Sequence, residues 1–215
     1  MYPVEVSILV VDDILETTVV HSSGSVTKNQ TVVSAENIIL TLNTNSSAVS
    51  KLEVANESVD RRVIITDQLL CPLINIMTLN LKNVTLRVSA DCIAQSDLQL
   101  LILEDVEYEF PNRLEDIIRA LSSRSQYLEA INIQRATLLS GYIPNEIADL
   151  QNLEVLHIDH PSISGELPYD ISDIQSLDLI DVVNTAVTID EELYELLEDE
   201  GVNIMTEEDK KLGYF

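Results

Sequence analysis

The sequence predicts an α/β solenoid, in which short repeats stack so that their strands form a parallel sheet on the concave side. Three observations predict it. One unit occurs twice between residues 128 and 177, with 24 residues separating Gly141 from Gly165. The apolar residues are aliphatic, since 215 residues include no Trp and only 2 Phe. Strand-like alternation precedes the repeats and a helical pattern follows them, which predicts a β-rich N-terminal cap and a C-terminal capping helix.

The repeat has three parts with different spacing. Each copy begins with Leu-x-x-Leu-x-Leu, which predicts a short strand whose alternate side chains are buried. A Gly-x-Ile/Leu-Pro turn follows, because proline cannot continue a strand ladder. Apolar residues three apart then predict a helical or 3₁₀ return limb. The first copy contains Leu128, Ile131, Ile133, Leu138, Gly141, Ile143, Pro144, Ile147 and Leu150, and the second contains Leu153, Leu156, Ile158, Ile163, Gly165, Leu167, Pro168, Ile171 and Ile174.

These residues resemble the leucine-rich repeat, in the form of about 24 residues that is common in plant receptors. The family pattern is Leu-x-x-Leu-x-Leu-x-x-Asn-x-Leu-x-Gly-x-Ile-Pro. The asparagine position departs from it, with Ala136 in the first copy and Pro161 in the second. The resemblance therefore implies a leucine-rich-repeat stack without the family's buried asparagine ladder. It identifies an architecture and says little about chemistry.

The chain is predicted to have three parts. Residues 1–75 alternate apolar and polar positions and are expected to form the β-rich cap, either as antiparallel hairpins or as narrow solenoid rungs. Residues 76–189 are expected to form about five leucine-rich-repeat rungs, with an α-helix over residues 113–122. Residues 190–215 are expected to form a capping helix, begun by Asp190 and ended by Gly201, a short strand and an acidic tail.

The charge is strongly acidic and uneven. The formal net charge is −25, and no Lys or Arg occurs between Arg135 and Lys210. This pattern fits a solvated acidic surface, a basic protein partner, bound divalent cations or mimicry of nucleic-acid phosphates. Direct nucleic-acid binding is disfavoured, because phosphate contacts require a Lys/Arg patch. Crowded carboxylates are also expected to raise one another's pKa, so that mild acid would stabilise the fold.

Cysteines, sequons and hydropathy bear on location. Cys71 and Cys92 are expected to be two small buried side chains, with a single disulfide as the alternative. No apolar run approaches the roughly 18 residues of a membrane span, and the start lacks a basic leader region. A cytoplasmic or virion-associated location is therefore expected, while secretion stays open. Sequons, interpreted as chance occurrences, begin at Asn29, Asn45, Asn56 and Asn83.

The expected function is a non-catalytic module that binds a partner protein on the concave face, where side chains between the buried leucines point outward. The alternatives are an acidic nucleic-acid mimic that inhibits a basic protein, and a structural component of a virion or particle. His157, Asp159 and His160 suggest zinc or acid–base chemistry, but Pro161 follows them and no cysteine is near. No enzyme activity, metal or cofactor is therefore expected. The predicted partner-binding residues are Asn80, Lys82, Leu100, Ile102, Glu104, Asn132, Gln134, Val155, His157, Asp159, Leu179 and Asp181.

Overall fold

A computed structural model describes residues 3–21, 23–33, 36–42 and 46–212; the sequon asparagine Asn45 lies outside them. Within these residues the strands are β1 (Val4–Val11), β2 (Ile14–His21), β3 (Val26–Val32), β4 (Asn37–Ile39), β5 (Val49–Asn56), β6 (Arg62–Thr66), β7 (Thr78–Lys82), β8 (Thr85–Arg87), β9 (Leu100–Glu104), β10 (Glu107–Arg113), β11 (Ala130–Gln134), β12 (Thr137–Ser140), β13 (Val155–Asp159), β14 (Ser164–Glu166), β15 (Leu179–Asp181), β16 (Ala186–Thr188) and β17 (Asn203–Met205). The α-helices are α1 (Asp67–Leu70), α2 (Ala90–Ile93), α3 (Leu114–Arg124), α4 (Glu191–Asp199) and α5 (Glu207–Leu212). Short 3₁₀ helices span Ser46–Ala48, Asn145–Asp149 and Tyr169–Asp173.

The larger sheet runs the length of the chain. Its ten strands lie in the order β3-β2-β1-β5-β7-β9-β11-β13-β15-β17. Every neighbouring pair from β1 to β17 is parallel, whereas β2 and β3 add antiparallel strands at the N-terminal end. Parallel neighbours in chain order require a return limb after each strand, which is the geometry of a solenoid. The predicted fold class is confirmed.

The return limbs form the other side of the stack. A second parallel sheet has the order β4-β6-β8-β10-β12, and β14 pairs with β16. Helices α1, α2 and α3 follow β6, β8 and β10, while 3₁₀ helices return the two regular repeats. The return limbs predicted as helical or 3₁₀ are 3₁₀ in the two regular repeats, and the helix predicted over residues 113–122 is confirmed as α3. No helix among the described residues combines the length and the apolar character that crossing a membrane requires.

The first 75 residues contain solenoid rungs. The sequence left open whether the strands near residues 40, 52 and 64 form hairpins or rungs. In the structure β4 pairs in parallel with β6, and β5 pairs in parallel with β1 and β7. The antiparallel hairpin β2–β3 is the part that departs from the stack. The division of the chain at residues 75 and 189 stays a prediction.

The predicted C-terminal capping helix is confirmed as α4, and a further helix, α5, follows it. The Asp190 side chain accepts a hydrogen bond from the Glu192 backbone N–H at 3.0 Å, and Gly201 adopts φ +88° after α4. The predicted short strand is β17, and the predicted acidic tail contains the helix α5, which was not predicted. Thr206 and Asp209 begin this helix as a capping box, since Thr206 N–H donates to Asp209 Oδ2 at 2.9 Å and Asp209 N–H donates to Thr206 Oγ1 at 3.2 Å.

Cys71 and Cys92 form a disulfide, so the expectation of two unpaired buried cysteines is wrong. Cys71 follows α1, Cys92 lies in α2, and their Cα atoms are 4.6 Å apart. The two positions are 21 residues apart in sequence. Helices α1 and α2 occupy the same place in successive rungs, so stacking brings them side by side. A count of two cysteines contains no information about that juxtaposition.

The first regular repeat has one residue more than the second between its first leucine and its glycine. This extra residue is Leu138, which the repeat pattern placed among the core residues. Leu138 is 49% exposed and adopts φ 62°, a left-handed conformation that is unfavourable for leucine. The next residue, Leu139, is buried and takes the core position. A one-residue insertion shifts every later side chain to the other face of a strand, and the left-handed residue restores the alternation.

Left-handed residues also mark the turn out of the concave strands. Four residues in this turn have φ between 50° and 58°: Asn83, Asp105, Arg135 and Asn184. Each occupies the same position of its rung, one residue before the family's asparagine position. Asn and Asp are the usual non-glycine residues in this conformation. This signal lies one residue before the asparagine position of the family pattern, and so the pattern alone does not predict it.

We expect Tyr108→Phe to stabilise the protein. Tyr108 is 0% exposed, and its hydroxyl has no hydrogen-bond partner among the described residues; burial also raises the pKa of this hydroxyl. Removing an unsatisfied buried hydroxyl is expected to raise the free energy of unfolding by about 1 kcal/mol. Urea titration measures this change, and Tyr127→Phe, at an exposed tyrosine, should change stability by less than about 0.5 kcal/mol. A loss of stability in Tyr108→Phe would mean that the hydroxyl is bonded.

Gly141→Ala is expected to destabilise the first regular repeat. Gly141 has φ +119°, and a methyl group there would overlap the carboxylate of Glu115 and lie 3.1 Å from its Cδ. Glu115 is buried, pairs with Arg113 and accepts a hydrogen bond from the Tyr142 backbone N–H at 3.4 Å. Strain and displacement of this carboxylate together should lower the free energy of unfolding by about 2–4 kcal/mol, measured by urea titration.

The matched control is Gly165→Ala in the next repeat. Gly165 has φ +102°, but an added Cβ there would lie 3.3 Å from Tyr142 Cβ and meet no carboxylate. This variant should therefore lose only the strain term, about 1–2 kcal/mol. In the double variant Gly141→Ala/Glu115→Ala, the two losses should be less than additive, because the smaller residue 115 removes the overlap. Additive losses would show that Glu115 does not restrict residue 141.

Candidate functional site

The candidate site is the concave face of the ten-stranded sheet. The strand register aligns outward-pointing side chains in three rows, of which the first two take one residue from each of the eight parallel strands and the third from six of them. The first row is Glu5, Lys51, Thr78, Leu100, Ala130, Val155, Leu179 and Asn203; the second is Ser7, Glu53, Asn80, Ile102, Asn132, His157, Asp181 and Met205; the third is Leu9, Ala55, Lys82, Glu104, Gln134 and Asp159. All twelve predicted partner-binding residues lie in these rows. That they bind a partner stays a prediction.

An apolar stripe crosses four neighbouring strands, β9 to β15. We define it as Leu100, Ile102, Ala130, Val155 and Leu179. The outward-pointing pattern predicts exposed side chains at Leu100, Ile102, Val155 and Leu179, but these four and Ala130 are half-buried. Neighbouring strands are only about 4.8 Å apart, so side chains in one row cover one another. The stripe is therefore continuous. Single exposed apolar residues are common on protein surfaces, but a continuous apolar strip is not.

Charges beside the N-terminal part of the stripe are balanced. Lys51 Nζ lies 3.2 Å from Glu53 Oε1, and Lys82 Nζ lies 3.2 Å from Glu104 Oε2. Arg135 closes this network, with its guanidinium 2.8 Å from Glu104 Oε1 and 2.6 Å from Asp105 Oδ1. Hydrogen bonding to Asp105 is the main reason that the pKa of Arg135 is raised. Each basic side chain here already has an acidic neighbour, which leaves little net positive charge for a ligand.

Charges beside the C-terminal part of the stripe are not balanced by lysine or arginine. Among the described residues, no ion pair joins Asp159 or Asp181 to a lysine or an arginine. His157 Nε2 lies 3.5 Å from Asp181 Oδ2, and Asp181 Oδ1 also accepts a hydrogen bond from the Val183 backbone N–H at 3.1 Å. The concave face therefore changes along the solenoid from paired charge to an acidic, half-buried margin.

The structure does not bring the three candidate metal ligands together. His157 and Asp159 point from β13, whereas His160 lies in the following turn, where its Nδ1 accepts a hydrogen bond from the Ser162 backbone N–H at 3.2 Å. The described residues with metal-ligand spacing are instead Asp67, Cys71 and Cys92. A cysteine binds zinc as the thiolate, but both of these sulfurs are used in the disulfide.

Sequence reasoning missed the ends of this face. Lys51, Glu53 and Ala55 of β5 and the two outer residues of β17 continue the rows. The alternation of Leu52 and Val54 was a usable signal, because it gives the same buried spacing as the later repeats. This stretch was predicted to belong to the β-rich cap, with narrow solenoid rungs as one of its two possible forms.

The pKa directions of four paired or buried groups predict a response to acid opposite to the one expected from crowded carboxylates. Hydrogen bonds from Arg135 lower the pKa of Asp105, and those from Arg87 lower the pKa of Glu109. Burial acts to raise the pKa of Glu115, but backbone N–H groups and Arg113 outweigh it and lower the value. Burial lowers the pKa of His160, against an opposing effect of Asp159. Each of these groups binds protons less readily when the chain is folded.

We therefore expect the free energy of unfolding to fall as pH drops. Carboxylates with lowered folded pKa contribute stability that is complete above their ordinary values of 3.8 for Asp and 4.5 for Glu and is lost as pH falls through the lowered values. His160 adds a smaller loss as pH falls through its ordinary value of 6.5. Urea titrations from about pH 7 down to about pH 2 at fixed ionic strength measure this. A rise in stability between pH 7 and pH 5 would contradict this expectation and show that repulsion between like charges is the dominant effect.

Comparison with known proteins supports the architecture. No family model matches the sequence and no curated protein matches it. Among solved structures, the plant peptide hormone receptor RGFR1 in complex with RGF2 is similar over 79% of this chain and 30% of its own, with 16% identity and a TM-score of 0.56. The ectodomain of the Arabidopsis thaliana receptor kinase GASSHO1/SCHENGEN3 (17% identity, 81% of this chain, 27% of its own, TM-score 0.47) and the Leptospira interrogans protein LIC12759 (14%, 81%, 53%, 0.45) are less similar.

These similarities concern the fold. The chain spans less than a third of either receptor chain and about half of the Leptospira protein. Together with the parallel sheet and the return limbs, the RGFR1 match shows that the chain has a leucine-rich-repeat fold.

Proposed function

We propose that this leucine-rich-repeat chain is a non-catalytic module that binds a protein or peptide on its concave face. The observation that carries the proposal is the apolar stripe, which continues over β9, β11, β13 and β15. An apolar strip with a polar border is typical of contact surfaces. Parallel strands hold its side chains at fixed spacing, so the surface is preorganised and little ordering is needed on binding. RGFR1, which has the same fold, is in complex with RGF2.

The acidic margin specifies part of the partner's chemistry. Asp159 and Asp181 lie beside the stripe. Asp181 is the partner of His157 on the neighbouring strand, and Asp159 lies two residues beyond His157 on β13. A partner that places apolar side chains on Val155 and Leu179 would bring a neighbouring Lys or Arg within reach of these carboxylates. Such a charged contact would guide the orientation of the partner more than it would increase affinity. We infer a partner segment that combines aliphatic side chains with one or two basic residues.

The experiment is a selection of peptides from a displayed random library against the folded chain, followed by affinity measurements on the selected peptides. Val155→Glu is expected to weaken binding at least tenfold, because it places a charge in the centre of the stripe. The matched control is Val59→Glu, which adds the same charge at a residue that is 96% exposed and outside the sheet. Equal affinity of the two variants, both shown to be folded by thermal unfolding, would contradict the proposal.

A second candidate is an acidic surface that binds a basic protein in place of nucleic acid. Glu129, Glu154 and Asp178 are exposed at equivalent positions before β11, β13 and β15, and so form a column of carboxylates. Salt separates the candidates, since exposed charge contacts are screened over about 8–10 Å at physiological ionic strength. Binding that survives added salt and is lost in Val155→Glu supports the stripe. Binding that collapses in salt and is unchanged in Val155→Glu supports the acidic surface.

We also propose that the chain works in an oxidising compartment, against the expectation of a cytoplasmic or virion-associated location. The Cys71–Cys92 disulfide supports this, because such bonds persist in secreted and extracellular proteins and are rare in the cytosol. Thiol labelling of the protein from its natural source, before and after reduction, tests it. Two labelled cysteines before reduction would contradict this location.

A further inference from the structure

The N-terminal end of the large sheet is an open strand edge. β3 is the last strand in the sheet order, and within the described residues it pairs only with β2. All seven of its residues are exposed, including Val26 and Val32, of which Val32 is 79% exposed. An edge of this kind has unpaired backbone N–H and C=O groups and readily pairs with another strand.

The register defines which backbone groups point outward. Val33 N–H donates to Asp13 O at 2.7 Å and His21 N–H donates to Ser25 O at 2.9 Å. These bonds flank the pairs Ile14–Val32 and Val20–Val26, so neither pair exchanges its own hydrogen bonds in this antiparallel ladder. By alternation, the outward N–H and C=O groups of β3 belong to Val26, Lys28, Gln30 and Val32.

The sequence of β3 is nearly the same in both directions. It reads Val-Thr-Lys-Asn-Gln-Thr-Val, centred on Asn29. Antiparallel pairing of two copies about Asn29 would place valine opposite valine, threonine opposite threonine and Lys28 opposite Gln30, with no like charges facing. The residues with outward backbone groups would face one another, giving about eight hydrogen bonds. Valine and threonine pairs of this kind are favourable across strands.

Charge supports a second copy of this chain as the occupant. Lys28 is the one charged residue of β3, and Glu16 of the same chain lies 3.9 Å from it. The stretch between Arg135 and Lys210, which has no Lys or Arg, begins after β11. β11 is six strands from β3 in the sheet order, about 29 Å at strand spacing. Pairing through β3 would therefore hold the two acidic halves about 58 Å apart or more, far beyond the screening length.

We propose that two copies of this chain associate through β3, antiparallel and with the two-fold axis at Asn29, so that their concave sheets become one continuous sheet. The interface is isologous, as in most homodimers. It rests on one strand pair and its side chains, so a reversible dimer that forms as concentration rises is expected.

The first test is cross-linking of the full chain produced without glycosylation, since a glycan on the Asn29 sequon would stand on the axis. Asn29 faces its own copy in a non-hydrogen-bonded pair, where Cα atoms approach within disulfide range. Asn29→Cys should form a disulfide-linked dimer under mild oxidation. Thr27→Cys should not, because its partner is Thr31 of the second copy. Equal cross-linking of the two variants, or none in either, would overturn the proposal.

The second test is sedimentation over a concentration series. Gln30→Pro removes an outward-pointing N–H, and proline is tolerated at the solvent side of an edge strand. Gln30→Ala is the matched control, because it loses the same side chain and its hydrogen bond to Glu16 but keeps the N–H. Gln30→Ala should still dimerise, whereas Gln30→Pro should stay monomeric with an unchanged unfolding temperature. Identical association of both variants would contradict pairing at this edge.

Discussion

Leu156→Ala is expected to lower the free energy of unfolding by about 4 kcal/mol, the largest effect expected of a single substitution here. Leu156 is 0% exposed in β13, between Ile131 of β11 and Ile180 of β15. Truncation removes its contacts and leaves a cavity in an aliphatic layer only one residue thick. Because all rungs are coupled through their neighbours, the loss should appear in the main unfolding transition measured with urea.

The control is the next residue of the same strand. His157→Ala removes a half-buried side chain from the concave face and its 3.5 Å contact with Asp181. It should change the free energy of unfolding by less than about 1 kcal/mol. If His157→Ala proved more damaging than Leu156→Ala, the two faces of β13 would have been assigned in reverse.

Loss of the disulfide is expected to have the second-largest effect. The Cys71→Ser/Cys92→Ser variant should be less stable by about 3 kcal/mol, because the bond closes a loop of 21 residues and restricts the unfolded chain. Thermal unfolding with and without a reductant measures it. The reductant should lower the unfolding temperature of the parent protein and leave that of the double serine variant unchanged. A parent protein that is insensitive to reductant while the bond is shown to be broken would rule out this stabilising role.

The regular part of the fold could be predicted because its signal is local and repeated. Gly141 and Gly165 mark equivalent turns, and the intervening leucines define which side of each strand is buried. Leu138 and Leu139 show where this logic stops, because both residues are leucine and only the backbone conformation decides which enters the core. Rungs at the ends were harder to identify because packing against neighbours, and no fixed motif, holds them in register.

The rows of the candidate site were predictable to the same degree, since the side that carries Leu156 and Ile158 determines where His157 and Asp159 point. Electrostatics was not predictable in the same way. Arg113 is two residues from Glu115, but the hydrogen bond from Tyr142 that helps to lower the Glu115 pKa comes from the next rung. Likewise the Cys71–Cys92 bond joins neighbouring rungs. Contacts between rungs depend on the exact length of each return limb, which varies most in the first half of the chain.

The uneven strand lengths of the sheet give the molecule a mechanical polarity. β1 and β5 are joined over seven residue pairs and β5 and β7 over five, whereas β13 meets β15 and β15 meets β17 over three pairs each. The disulfide adds a covalent link between α1 and α2 near the N-terminal end. A force that pulls the two ends apart would therefore peel rungs away from the C-terminal end, where the fewest hydrogen bonds share the load. The section between Cys71 and Cys92 would set a limit to the extension, because its ends cannot separate while the bond is intact.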